Sequence, residues 1–133
     1  MSEGSIVVVS REPGISRALC LTLAAKGYEV TNVESVDDVF RQSHARKYDL
    51  VLLDYDTSTA PPAETCREIR ACSDMGIVII SGDHSEEKKL KAILAGADAY
   101  IAKPFGVEEV FAGIRAAIGK ARITTGKPRA LVN

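Results

Sequence analysis

Asp49-Leu50-Val51-Leu52-Leu53-Asp54-Tyr55-Asp56 is the stretch from which the rest of the chain is read. Four aliphatic residues run unbroken between acidic ends. A strand with one wet face alternates apolar and polar residues, whereas a continuous apolar run suits a strand covered on both faces. Such strands belong to parallel sheets flanked by helices, and open sheets of that kind build their sites at the carboxyl ends of the strands. Asp54 lies at such an end, so every other feature is weighed by whether it converges there.

Working outward, the pattern recurs. Ile6-Val7-Val8-Val9, ending at Ser10, and Gly76-Ile77-Val78-Ile79-Ile80, ending at Ser81-Gly82, are aliphatic runs rich in β-branched residues. Ala99-Tyr100-Ile101-Ala102 is a short run ending at Lys103-Pro104, and Tyr28-Glu29-Val30-Thr31-Asn32-Val33 alternates as a strand near a sheet edge would. Helical spacing fills the gaps. A first helix starts at about Gly14, with Ile15, Ala18, Leu19, Thr22 and Leu23 in phase and Gly27 as its left-handed cap. Ser35-Val36-Asp37-Asp38 reads as a capping box for a short helix with Val36, Val39 and Phe40 on its buried stripe, ending near Arg46-Lys47. Pro61-Pro62 suits a first helical turn, ahead of Thr65, Cys66 and Ile69. Asp83 or Ser85 caps a fourth helix whose expected core face is Leu90, Ile93 and Leu94 and whose stop is Gly96. The last helix, from about Val107 to Ala121, carries Val110, Phe111, Ile114, Ala117 and Ile118 on one face. Five strands alternating with five helices predict an α/β domain with a parallel sheet, helices on both faces and right-handed crossovers.

Composition narrows the function classes. A chain of 133 residues is the length of one domain and buries roughly two-thirds of its unfolded surface, enough to fold without disulfides or metal. With 26% charged residues and a net charge of −1 there is no overall basic field for nucleic acid or membrane. The apolar runs are far too short for a membrane span, and Met1-Ser2-Glu3-Gly4-Ser5 lacks the basic start and apolar body of a signal peptide. A cytoplasmic protein with no membrane partner is expected. Cys20, Cys66 and Cys72 show no C-x-x-C spacing and read as reduced thiols, and His44 and His84 read as surface residues. Residues 123–133 lose all periodicity and include Lys127 and Arg129, so they read as a basic tail or linker after a domain over residues 1–122.

Four of the strands end in polar residues: Ser10, Asp54, Ser81 and Lys103. In a parallel sheet those ends share one edge. A carboxylate there can accept a phosphoryl group as an acyl phosphate. The incoming phosphoryl needs positive charge and hydrogen-bond donors around its oxygens, which Lys103 and Ser81 can supply. The competing reading is that each polar residue merely closes its strand; a set of four on one edge favours chemistry. Ser81-Gly82-Asp83-His84 has a single glycine, so no nucleotide-cradling loop is expected.

In this order and at these spacings, Asp49 to Asp54, Ser81-Gly82, Gly96-Ala97-Asp98-Ala99-Tyr100-Ile101 and Lys103-Pro104-Phe105 resemble the receiver domain of bacterial two-component response regulators, over about residues 4–120. The resemblance implies a flavodoxin-like, doubly wound five-stranded sheet of order 2-1-3-4-5. It implies a signalling module rather than an enzyme, with Asp54 as the phosphoacceptor served by a sensor histidine kinase. Ser81 would be the switch hydroxyl, Tyr100 the switch aromatic and Lys103 the phosphoryl-binding lysine, with a cis Lys103-Pro104 bond. Homodimers or partners would use the face made by the fourth helix, fifth strand and fifth helix. Gly106-Val107-Glu108-Glu109 and the basic tail look like the receiver-to-linker region of OmpR/PhoB-like winged-helix transcriptional regulators. DNA would then be met only through an effector domain outside this sequence.

One departure from the family's pattern is large. The acidic pair that closes the family's first strand and helps to bind Mg²⁺ falls here on Ser10 and Arg11. Mg²⁺ demands oxygen ligands, carboxylates above all, in near-octahedral geometry. A weak or absent Mg²⁺ site is therefore expected, with Asp54, Glu12 and Asp56 as its candidate ligands, although the family uses a backbone carbonyl at the last position. Arg11 either replaces part of the metal's charge by pairing with Asp54 or points to solvent. Two functions follow: an atypical receiver phosphorylated at Asp54, or a pseudo-receiver acting as a phosphorylation-independent interaction or dimerisation module.

Overall fold

The aliphatic runs form strands β1 (Ser5–Val9), β2 (Glu29–Val33), β3 (Leu50–Asp54), β4 (Gly76–Ser81) and β5 (Ala99–Ala102). They alternate with helices α1 (Pro13–Ala25), α2 (Val36–Gln42), α3 (Pro62–Arg70), α4 (Glu86–Ala95) and α5 (Val107–Ile123). The computed structural model describes residues 3–42, 48–55 and 60–123. Asp56, His44, the expected end of the second helix at Arg46-Lys47 and residues 124–133 lie outside the described residues.

All strand pairs are parallel and the order is β2-β1-β3-β4-β5, the flavodoxin-like arrangement. Successive strand side chains point to opposite faces, so odd and even positions sort into two cores. Ile6, Val8, Leu50, Leu52, Val78 and Ile80 pack with Leu19, Leu23, Phe111 and Ile114 of α1 and α5. Val7, Val9, Val51, Leu53, Ile77 and Ile79 pack with Val39, Cys66, Ile69 and Ala92 of α2, α3 and α4. Every residue of β3 and β4 is buried, as their unbroken apolar runs require, while the edge strand β2 is half open.

Local sequence sets the helix ends. Pro13 and Pro62 sit in first turns, where a missing N–H costs nothing. Ser35 Oγ accepts from Asp38 N at 3.3 Å, and Ser85 Oγ accepts from Lys88 N at 3.2 Å, each satisfying an orphan amide. The chain turns out of α4 at Gly96, whose φ of +124° is open to glycine and strained for other residues. All five residues expected on the buried face of α5 are buried.

The expectation for α4 needs correction. Leu90 is 59% exposed and Leu94 77%, with Ile93 also exposed, while Ala92 is the buried residue of the helix. Leu90, Ile93 and Leu94 do form one stripe at helical spacing, but Ala92 lies on the opposite side, and that side faces the sheet. Periodicity identifies an apolar stripe without saying what covers it.

The far end of α3 is stitched to the sheet by a cluster the sequence reading did not single out. Arg70 Nη2 donates to Gly96 O at 2.9 Å and to Asp98 Oδ2 at 3.1 Å, and Nη1 donates to Met75 O. Asp98 Oδ2 also accepts from Ile77 N at 2.9 Å. Burial makes these charge-assisted bonds costly to break.

Candidate functional site

The register builds the site directly. Val9 on β1 pairs with Leu53 on β3, so the next residues, Ser10 and Asp54, lie side by side and project to the same face. On the other flank Lys103 N donates to Ser81 O at 2.8 Å, carrying the β4–β5 ladder one step further. Lys103 follows Ile101 at a spacing of two, which aims it at the face that Asp54 shares with Leu50 and Leu52.

The three side chains meet. Ser10 Oγ donates to Asp54 Oδ2 at 2.8 Å, and Lys103 Nζ donates to Asp54 Oδ1 at 2.6 Å. The Asp54 side chain is 1% exposed and that of Lys103 15%, so the ion pair sits where water screens it little. Ser10 Oγ also accepts from Glu12 N at 3.1 Å, which fixes the start of the following loop. The Glu12 carboxylate lies at the rim, with Oε1 3.9 Å from Lys103 Nζ.

Ser81 and Tyr100 occupy the opposite face, as their positions along β4 and β5 require. Ser81 follows Ile77 and Ile79, and Tyr100 packs against the same α2–α4 core. Ser81 Oγ accepts from Asp83 N at 3.0 Å, closing a turn. Tyr100 Oη donates to Asp83 O at 3.1 Å. The Asp83 carboxylate accepts from Ser85 N at 3.0 Å and from Lys88 Nζ at 2.5 Å; the Lys88 ammonium, and after it the Ser85 amide, hold its pKa below the usual carboxylate range. A cavity of about 550 Å³ opens beside this group, lined by Tyr55, Pro61, Pro62, Ser81, Lys88 and Tyr100 among others. The expected convergence therefore divides: Ser10, Asp54 and Lys103 form one hydrogen-bonded cluster, and Ser81 and Tyr100 meet through Asp83 on the other side of the sheet.

Of the two placements open to Arg11, pairing with Asp54 or pointing to solvent, the structure has the second. Arg11 is exposed, and among the described residues no ion pair links it to Asp54. Lys103 and Ser10 already hold the two carboxylate oxygens. His84, read from the sequence as an ordinary surface residue, contacts the site loop, its Nε2 lying 2.7 Å from Lys103 O. No spacing signal announces that contact, because it depends on how two loops fold over the sheet edge.

Among the described residues, no group of three or more Asp, Glu, His or Cys side chains is placed to hold a metal ion. Asp54 is already engaged by an ammonium and a hydroxyl, and Glu12 lies beside the same ammonium. Asp56 lies outside the described residues. The described donors, Asp54 and Glu12, do not by themselves supply the set of oxygen ligands demanded by the Mg²⁺ that the receiver resemblance implies.

Comparison with known proteins bears on the family and the fold. The family model described as the response regulator receiver domain matches residues 6–115. The KDP operon transcriptional regulatory protein KdpE of Escherichia coli (strain K12) is 31% identical over 121 residues, covering 91% of this chain and 54% of that protein. The response regulator ArlR of Staphylococcus aureus (strain Mu50 / ATCC 700699) is 34% identical over 111 residues, covering 84% and 51%. The chain thus spans about half the length of the curated relatives it matches. Among solved structures, full-length FixJ from B. japonicum superposes with a TM-score of 0.83 at 22% identity, covering 93% of this chain and 62% of that one. A two-component response regulator from Clostridium difficile gives 0.80 at 22% identity, covering 90% and 98%.

Proposed function

The chain belongs to the response regulator receiver domain family, and from that premise we propose that it is an atypical receiver whose Asp54 accepts a phosphoryl group from a sensor histidine kinase. The observation that carries this reading is the buried Asp54 carboxylate held by Lys103 Nζ at 2.6 Å. In the transfer, a carboxylate oxygen of Asp54 forms a bond to phosphorus as the P–N bond of a phosphohistidine breaks. The electron pair leaves on the imidazole nitrogen, which takes up a proton, and Asp54 becomes an acyl phosphate. Lys103 then pairs with the phosphoryl oxygens. A Mg²⁺ site drawing on Asp54, Glu12 and Asp56 is weak or absent.

The added charge draws the Ser81 hydroxyl toward the phosphoryl group and frees Tyr100 to rotate, with the adjoining cavity as room for the movement. The surface remodelled is that of α4, β5 and α5. Leu90, Ile93 and Leu94 give it exposed apolar area, which supports its use by a second copy or another partner. The receiver occupies residues 1–122, with residues 123–133 as a basic linker. DNA recognition and transcriptional output, which belong to the full length of relatives named as transcriptional regulators, would need an effector domain. A cytoplasmic location goes with the receiver reading; no helix among the described residues is long and apolar enough to cross a membrane.

The Ser10-Arg11 pair favours a second reading, a pseudo-receiver that keeps the partner surface without the switch. Intact mass after treatment with a small phosphoramidate separates the two. A gain of about 80 Da, one phosphoryl group, that Asp54→Ala abolishes supports the acceptor. No gain from small donors or from a cognate kinase supports the pseudo-receiver.

A further inference from the structure

A divalent cation at a phosphoryl-transfer site does two things: it neutralises charge on the reacting oxygens and it fixes their positions. In this chain both tasks fall to side chains already in place. Lys103 Nζ, 2.6 Å from Asp54 Oδ1, sets a positive charge against the acceptor. Ser10 Oγ donates to the other oxygen at 2.8 Å, and is itself oriented by the Glu12 amide at 3.1 Å. Ser10 and Asp54 are each 2% exposed, so the arrangement is walled in rather than sampled on a surface.

The same arrangement is hostile to a metal. A cation approaching Asp54 meets an ammonium on one oxygen and a hydroxyl proton on the other. The described carboxylates, Asp54 and Glu12, share the Lys103 ammonium, leaving a single net negative charge. Glu12 contributes its part from a side chain that is 48% exposed. Mg²⁺ gives up its waters reluctantly and demands near-ideal oxygen geometry, so an ammonium-bridged, half-solvated pair of carboxylates holds little for it.

Resting on the reading of Asp54 as acceptor, we propose that Ser10 and Lys103 stand in the divalent cation's place, so that the site excludes Mg²⁺ and Asp54 takes up phosphoryl groups at a rate independent of it. The P–N bond of the donor still breaks with its electron pair leaving on nitrogen. The charge that builds on the phosphoryl oxygens is met by the Lys103 ammonium, which keeps its protons, while the Ser10 hydroxyl holds the carboxylate from turning. Ser10 marks the difference: a carboxylate there would repel Asp54 unless a cation lay between them, whereas a hydroxyl binds Asp54 directly.

The experiment follows Mg²⁺ by two readouts on the whole chain. Amide chemical shifts and the thermal midpoint report binding without any phosphorylation; intact mass during phosphoramidate treatment, in chelator or in millimolar Mg²⁺, reports the rate. The expected result is that the wild-type amides around Ser10 and Asp54 and the wild-type midpoint do not respond to Mg²⁺, and that the two rates agree within about twofold. Ser10→Asp is expected to gain a Mg²⁺-dependent rise in midpoint and a Mg²⁺ stimulation of about 10-fold or more. If that variant does not fold, Lys103→Met, which removes the competing ammonium, is expected to show the midpoint rise. Wild-type amide shifts centred on Asp54 in millimolar Mg²⁺, or about 10-fold stimulation of the wild-type rate, overturn the proposal. Absence of any mass gain in either condition overturns the acceptor reading on which it rests, and the amide shifts then still decide whether the site excludes the metal.

Discussion

Replacing Lys103 by Met keeps the length of the side chain and removes its charge, leaving Asp54 with the Ser10 hydroxyl on Oδ2 and no cation on Oδ1. At 2.6 Å the gross attraction is about 6 kcal/mol for an effective dielectric of about 20, before desolvation is charged against it. Truncating one partner of a fully buried pair costs about 3–5 kcal/mol. Lys103 retains 15% exposure, and water can reach the space it vacates, so the expected loss is about 2–3 kcal/mol. For a chain of this length that lowers the midpoint by about 7–10 °C. Urea unfolding of wild type, Lys103→Met, Asp54→Asn and the double variant at neutral pH isolates the pair. The double variant should be less destabilised than the two singles together, with a coupling of about 2 kcal/mol. Additivity within about 0.5 kcal/mol would refute the reasoning. It would mean that Lys103 does not hold Asp54 in solution, and the claim that the acceptor is fixed before any phosphoryl group arrives would fall with it.

Asp98→Ala removes the partner of Arg70 and the acceptor of Ile77 N, and should destabilise the fold by about 2–4 kcal/mol in urea titration. Leu94→Glu, at a position 77% exposed, should leave stability within about 0.5 kcal/mol while weakening any self-association seen by sedimentation. Burial pushes the Cys66 thiol up from its ordinary value to about 11, so the folded state favours the neutral form. The stability this gives is fully present below pH ~9 and is lost as pH rises toward ~11. Cys66→Ala should flatten that alkaline slope even though it lowers stability overall, and exposed Cys72 should react with thiol reagents in the native state while Cys66 waits for unfolding.

The strands were legible because burial on two faces leaves an unmistakable pattern: the runs at Leu50 to Leu53 and Ile77 to Ile80 have no exposed residue in the structure. Their polar ends were legible for the same reason, since a buried run that stops at Asp54 or Ser81 places that residue at the sheet edge. The apolar stripe of α4 was legible as a stripe and misplaced, because Leu90 and Leu94 obey the periodicity a core face would show. The size of Ala92 is the one local hint that the other side meets the sheet. The sequence leaves Arg11 open between two placements for a different reason. Charge reversal at a family position says that a cation is near the site in sequence; which cation reaches Asp54 depends on side-chain direction, and the period of two that sends Ser10 inward turns its neighbour away.

That same period constrains how the site could signal. Ser10, Asp54 and Lys103 project to the face covered by α1 and α5, whereas Ser81 and Tyr100 project to the face covered by α3 and α4. In the unphosphorylated site the two groups are linked at the sheet edge, and the Ser81 hydroxyl is the side chain that would reach across to a phosphoryl group on Asp54. Two links are placed to carry the change: the backbone bond from Lys103 N to Ser81 O at 2.8 Å, and the contact of the His84 ring, through Nε2, with Lys103 O at 2.7 Å. Both end in the segment from Ser81 to His84, whose Asp83 carbonyl holds the Tyr100 hydroxyl and whose Asp83 carboxylate is tied to the first turn of α4 through Lys88. Drawing Ser81 toward a phosphoryl group would therefore pull on Asp83, and Tyr100 and α4 would respond as one unit. An Asp83→Ala variant, which frees Lys88 and the Ser85 amide while leaving the carbonyl, should loosen α4 more than it loosens Tyr100. Amide exchange along α4 should rise with little change in the Tyr100 ring signals. Equal loosening of both, or of neither, would place the link somewhere other than Asp83.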